Sequence, residues 1–207
     1  MKERQFTQKQ RYKVKRERKK IIAICCEGKN QTEKLYFNNF KTRDIIIKFS
    51  KGNETDPEGM VNNLINFLTS EGIDTNDGDK AFLILDGDID NSKQLQLNNA
   101  IEKAKANNIE VILSVPCFEL WYLLHFIYTS RPYASNQQLL KDLKKHLPDY
   151  SKNANVFTQI KGYTDAAIAN SKKLEQFHID NGQVLNNVSC NPYTGVHKIV
   201  EYIKNIT

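Results

Sequence analysis

Asp86, Asp88 and Asp90 alternate along Ile84-Leu85-Asp86-Gly87-Asp88-Ile89-Asp90, directly after the apolar run Ala81 to Leu85. Alternate residues of an extended chain share a side. Asp86 and Asp88 can therefore present two carboxylates to one or two cations, joined by Asp90 if the chain stays extended. Glu27 ends a second apolar run, Ile21 to Cys26. Oxygen ligands suit a hard divalent cation, and Mg²⁺ takes one or two carboxylates plus waters and substrate phosphates. On a basic protein, such an ion points to the phosphodiesters of nucleic acid. Asp-x-Asp spacing is also common in solvated loops, and Asp90, just before Asn91 and Ser92, suits a helix cap. The run is not an EF-hand loop, because the required Gly and the distal Glu are misplaced.

Gly28 after Glu27 lets backbone amides approach a phosphate, and Lys29 can hold one, although GxxxxGK[ST] is absent. Glu27 itself can ligate the cation or act as acid or base at the phosphate. Glu33 falls in the first turn of the next helical stretch, where the helix dipole favours an acid, and is a secondary candidate. Glu119 lies between Phe118 and Leu120 in a strongly apolar helix start. Burying an unpaired carboxylate is costly, so Glu119 needs a cation, a hydrogen-bond donor or free helix amides. His125 lies six residues further on, off the face of Glu119, and reads as a structural histidine with a secondary claim on the site. Trp121, Tyr122 and Phe126 read as core rather than a platform for bases. No GxSxG, HExxH or CxxC pattern is present, so serine hydrolase, zincin and thioredoxin chemistry have no support.

The elements that must carry these residues alternate. Ile21 to Cys26 predicts a central parallel strand, and Asn30 or Thr32 predicts a cap for a helix to about Lys41. Asp44 to Ser50 predicts a second strand, Pro57 opens a helix through Leu68, and Ala81 to Leu85 is a third strand. A helix over Ser92 to Asn107 leads to a fourth strand, Ile109 to Val115, stopped by Pro116. Strand–helix alternation argues for a mostly parallel sheet covered on both faces. Its site should lie beyond the carboxyl ends of the strands, where Glu27, Asp86, Asp88 and the Pro116–Glu119 turn fall. After Pro132 the pattern is helical: Asn136 to Leu147, Thr164 to Phe177, and a last amphipathic helix led in by Asn191-Pro192-Tyr193-Thr194. We therefore expect a basic arm at 1–20, an α/β core at 21–130, and a helical extension at 131–207 packed on that core.

The net charge of +6 is unevenly spread. Residues 1–20 hold ten Lys or Arg against two Glu, so the rest of the chain is slightly acidic. Arg11, Lys13, Lys15, Arg16 and Arg18 make this stretch a candidate arm for DNA or RNA phosphates. A solvated leader that only aids solubility would have the same composition. No stretch approaches the roughly 20 apolar residues of a membrane span, and no cleavable signal pattern follows the basic start, so a cytoplasmic protein is expected. Cys25, Cys26, Cys117 and Cys190 form no zinc pattern and read as reduced buried thiols.

Several segments together resemble the RloB-like family. They are Cys26-Glu27-Gly28-Lys29-Asn30-Gln31-Thr32-Glu33 with Tyr36-Phe37, Leu85-Asp86-Gly87-Asp88, Pro116-Cys117-Phe118-Glu119-Leu120-Trp121 with Leu124-His125-Phe126, and Asn191-Pro192-Tyr193-Thr194-Gly195-Val196-His197. Such proteins are encoded in restriction-modification or abortive-infection loci, often beside an AAA- or ABC-type ATPase. The order strand–Glu, then strand–Asp-x-Asp, also looks like the Toprim fold of topoisomerases, primases and overcoming-lysogenization-defect nucleases. The resemblance implies a Toprim-like α/β sheet. It implies Glu27 as acid or base, Asp86 and Asp88 as ligands of Mg²⁺ or Mn²⁺, and Glu119 as a further acid. It implies a nuclease in antiphage defence with a partner ATPase; the alternative is a non-catalytic module that senses a phage component or holds the ATPase. Where the family often has Asp-Arg-Asp, this chain has Gly87, which removes a possible phosphate contact and leaves the carboxylates.

Overall fold

A computed structural model describes residues 18–27, 32–52, 54–87, 94–152 and 154–207. Five strands form one sheet in the order β2-β1-β3-β4-β5: β1 is Lys20–Cys26, β2 Ile45–Phe49, β3 Lys80–Asp86, β4 Ile109–Val115 and β5 Tyr193–Thr194. The first four are mutually parallel, and β5 pairs antiparallel with β4 through Ser114 opposite Thr194. β1, β3 and β4 read as near-continuous apolar runs because helices cover them on both faces.

Side-chain alternation divides the interior in two. Ala23, Cys25, Leu83, Leu85 and Leu113 face one layer, where α2 (Pro57–Ser70) and α3 (Gln94–Ala106) supply Met60, Leu64, Leu97 and Ala100. Ile22, Ile24, Phe82, Ile84 and Ile112 face the opposite, more aromatic layer. That layer holds α1 (Thr32–Phe37), α4 (Glu119–Leu124), α5 (Asn136–Leu143), α6 (Phe157–Ile160), α7 (Thr164–Asp180) and α8 (Val196–Asn205). Leu139, Leu174 and Ile199 of the late helices share one buried cluster with Ile22 and Phe82, so the helical extension is part of the wall over this face of the sheet.

Local signals account for the boundaries. Asp56 caps α2 by accepting the N–H of Gly59 at 2.6 Å, with Pro57 in the first turn. α5 ends at Leu143, short of the expected Leu147, and continues as turns toward Pro148, which restricts the residue before it. α7 runs past the expected Phe177 to Asp180. It closes with a paired cap in which Gly182 (φ +72°) donates to Ile179 and Gln183 to His178. Tyr193 and Thr194, expected only to lead into the last helix, form the edge strand β5; two residues carry no readable periodicity. No helix among the described residues is long and apolar enough to cross a membrane.

Candidate carboxylate site

The order of the strands reverses between β1 and β3: the chain leaves β1 toward β2, then crosses to β3 and continues to β4. The carboxyl ends flanking such a reversal form a crevice. β1 delivers Glu27 there and β3 delivers Asp86 as its last residue. Glu27 and Asp86 line one cavity with Gly87, Thr55 and Pro57.

Asp86 continues the parity of Phe82 and Ile84, so it emerges on the face covered by α1 and α4. Its Oδ1 accepts the Phe118 N–H at 2.9 Å, tying the end of β3 to the start of α4. Gly87 then donates to the Ser114 carbonyl at 2.7 Å. A Cβ at position 87 would lie 2.7 Å from Val115 Cγ2 and 3.3 Å from Leu113 Cδ1. A side chain here would have to push the Val115 and Leu113 side chains aside, while the nearest β4 backbone atom, the Ser114 carbonyl oxygen, lies at 3.5 Å.

Glu33 lies in the first turn of α1, 3% exposed, and its Oε2 is buried without a hydrogen-bond partner. Burial, reinforced by the charges of Glu119 and Glu27, pushes its carboxyl up to about 7. Asp86 is raised well above the ordinary carboxylate range, first by burial and then by Glu33, Glu119 and Glu27; the Phe118 amide opposes this. Glu119 opens α4, is 3% exposed, and accepts the Tyr150 hydroxyl at 2.9 Å. Four acids from four segments therefore share one electrostatic neighbourhood. Such a group favours either held protons or a nearby cation. Cys26 and Cys117, beside it, are held as thiols by burial and by these same acids, which rules them out as thiolate nucleophiles near neutral pH.

Among the described residues, no group of three or more His, Cys, Asp or Glu is arranged to hold a metal ion. Two carboxylate oxygens already accept protein donors, one from Phe118 and one from Tyr150. Asp88 lies outside the described residues, as do Asp90, Lys29, Arg11, Lys13, Lys15 and Arg16. Arg18 is described, at the other end of the sheet. It pairs with Asp77 at 2.7 Å and with buried Asp79, which also accepts the Ile21 and Asp74 amides. His125 is a core residue: its Nδ1 donates to the Trp121 carbonyl at 2.8 Å, and burial pushes its ring down to about 4, so it is neutral at physiological pH.

Tyr150 and Lys152 carried no signal in the sequence. Both come from an aperiodic polar segment far from Glu119 in the chain. Thr32 donates its hydroxyl to the Lys152 carbonyl at 2.8 Å, and Tyr122 donates to the Thr32 carbonyl at 3.3 Å. This cross-tie fixes α1 against α4 and brings a cation close enough to lower Glu33 slightly.

The acids that meet here occupy the segments that carry the family likeness, and a profile of the RloB-like protein matches residues 22–203. The chain belongs to the RloB-like family. No curated protein and no solved structure matches it significantly. The matched span takes in most of β1, all of β3, the start of α4 and the Tyr150 segment, so each described acid of the cluster lies within the family region.

Proposed function

We propose that this chain is a divalent-metal-dependent nuclease of antiphage defence that works with a partner ATPase. The observation that carries the reading is the Asp86 carboxylate, partly buried at the sheet's reversal point in the electrostatic neighbourhood of Glu33, Glu119 and Glu27. The fit to a cation rests on chemistry. The donors are carboxylate oxygens, the unpartnered Glu33 Oε2 lies in the same cluster, and an open set of few ligands matches Mg²⁺ or Mn²⁺, which keep waters and bind substrate phosphate.

Asp86, Asp88 and Glu27 would hold the ion. When bound, it supplies neutralisation of phosphoryl charge and an acidified water. Glu27, at the mouth of the crevice, would take or return a proton at the scissile phosphate. Glu119, oriented by Tyr150, would serve as a second acid. Lys29 and the basic arm would hold the nucleic-acid backbone, with DNA and RNA both admissible. The loci that carry RloB-like genes supply the reason to expect an ATPase partner.

The test is cleavage of mixed DNA and RNA, single- and double-stranded, in Mg²⁺ or Mn²⁺, with and without the ATPase encoded nearby. Wild type should cleave, and Asp86→Ala should lose at least about 100-fold. Cleavage that survives Asp86→Ala rejects the metal assignment. No cleavage by wild type, even with the ATPase, favours a sensor module that binds without cutting.

A further inference from the structure

Beyond its last residue, α4 leads out of the core toward a small aromatic surface. Phe126 is half-buried and stacks on His146, with ring centroids 5.1 Å apart and planes within 5°. Tyr163 leans on Phe126 at 5.7 Å and is 53% exposed; His146 is exposed. The three rings come from three separate segments, so tertiary packing assembles them. Exposed Lys144 and Lys145 directly precede His146, and exposed Lys161 shares a short helical turn with Tyr163. Lys145 pairs with Asp142 at 2.6 Å, while Lys144 and Lys161 form no ion pair among the described residues. Of the acids on these segments, Asp142 is engaged by Arg131, Lys145 and Tyr133, and exposed Asp165 pairs with Lys204, while Asp149 is exposed.

We propose that Phe126, His146 and Tyr163, flanked by Lys144 and Lys161, form a stacking platform for single-stranded nucleic acid. Bases offer flat faces only when unpaired. An exposed aromatic surface rimmed by free lysines is the combination that binds an unpaired strand, with rings taking bases and ammonium groups taking phosphates. A duplex would offer the phosphates without the base faces. The proposal deepens the nuclease reading and rests on it for its purpose. Phe126 lies seven residues beyond Glu119, roughly 10 Å at helical rise, and Tyr150, which holds Glu119, lies four residues beyond His146. The rings are thus linked to Glu119 through α4 and the Tyr150 segment.

The experiment uses the full chain in EDTA, so that binding is read without cleavage. Short oligothymidylate and oligouridylate are titrated by fluorescence anisotropy, and a 2-aminopurine base reports stacking. Wild type should bind, quench the 2-aminopurine, and prefer the single strand to a blunt duplex. Tyr163→Ala should weaken binding about fivefold or more and relieve the quench, whereas Tyr163→Trp should retain both. Lys161→Gln should lower the slope of log affinity against log salt by about 0.7. Unchanged affinity and quench in both Tyr163→Ala and His146→Ala, or equal binding of the duplex, would overturn the platform. Ring-dependent binding by a protein that never cleaves would refute the nuclease reading alone; cleavage indifferent to the rings would refute the platform alone.

Discussion

Glu33 occupies a costly position: buried, next to other acids, with one oxygen left without a partner. Its carboxyl sits at about 7 in the fold, against 4.5 for an ordinary glutamate. A raised acid is neutral in both folded and unfolded chains at low pH. As pH climbs, the unfolded chain ionises first, so the contribution to stability is whole below about 4.5 and is lost by about 7. Without divalent cations, stability should fall across that window by on the order of 3 kcal/mol from Glu33, with Asp86 adding in the same direction. Urea melts at pH 5 and pH 8 measure this. Glu33→Gln should flatten the dependence and stabilise the chain at pH 8 by about 1–3 kcal/mol; a melt that keeps its full pH slope would contradict the assignment. Asp86 was legible in the sequence because it ends an apolar run. Glu33 was legible only as a first-turn acid. Its burial is decided by α4 and the Tyr150 segment, which no local pattern foretells.

Strand ends decide what the elements do. The carboxyl ends of β1 and β3 hold the acids, while the opposite ends are closed by Asp79, 1% exposed, which accepts the Ile21 amide at 3.0 Å and pairs with Arg18. Asp79→Ala removes the acceptor of the Ile21 and Asp74 amides and leaves Arg18 paired with Asp77 alone. It should cost about 3 kcal/mol of stability, read as a lowered denaturation midpoint, with unchanged divalent-ion binding at the far end of the sheet. A loss of ion binding in the folded variant would show that the two ends are coupled. The four parallel strands were readable from short apolar runs punctuated by Glu27-Gly28, Pro57 and Pro116, because burial on both faces leaves no polar alternation to confuse them. β5 and the early end of α5 were not readable. One is too short to show a period, and the other ends through turns ahead of Pro148. Arg18, grouped with the arm by composition, is held by acids at the base of the sheet; composition cannot distinguish a free cation from a paired one.

At the scale of the whole molecule, the fold places one polar rim on a two-layered apolar body. The late helices share their buried cluster with Ile22 and Phe82, so the extension shapes the site: it sends Tyr150 to Glu119 and presents His146 and Tyr163 at the surface. That contribution was hidden from sequence, which showed a run of helices and no sign of where they dock. The most direct test of the account is Mn²⁺ binding to the purified chain, followed by electron paramagnetic resonance at pH 8, for wild type and Asp86→Asn. Wild type should bind Mn²⁺ saturably, and binding should weaken about tenfold or more in Asp86→Asn. Equal Mn²⁺ binding by the two proteins, or none by wild type, would contradict it.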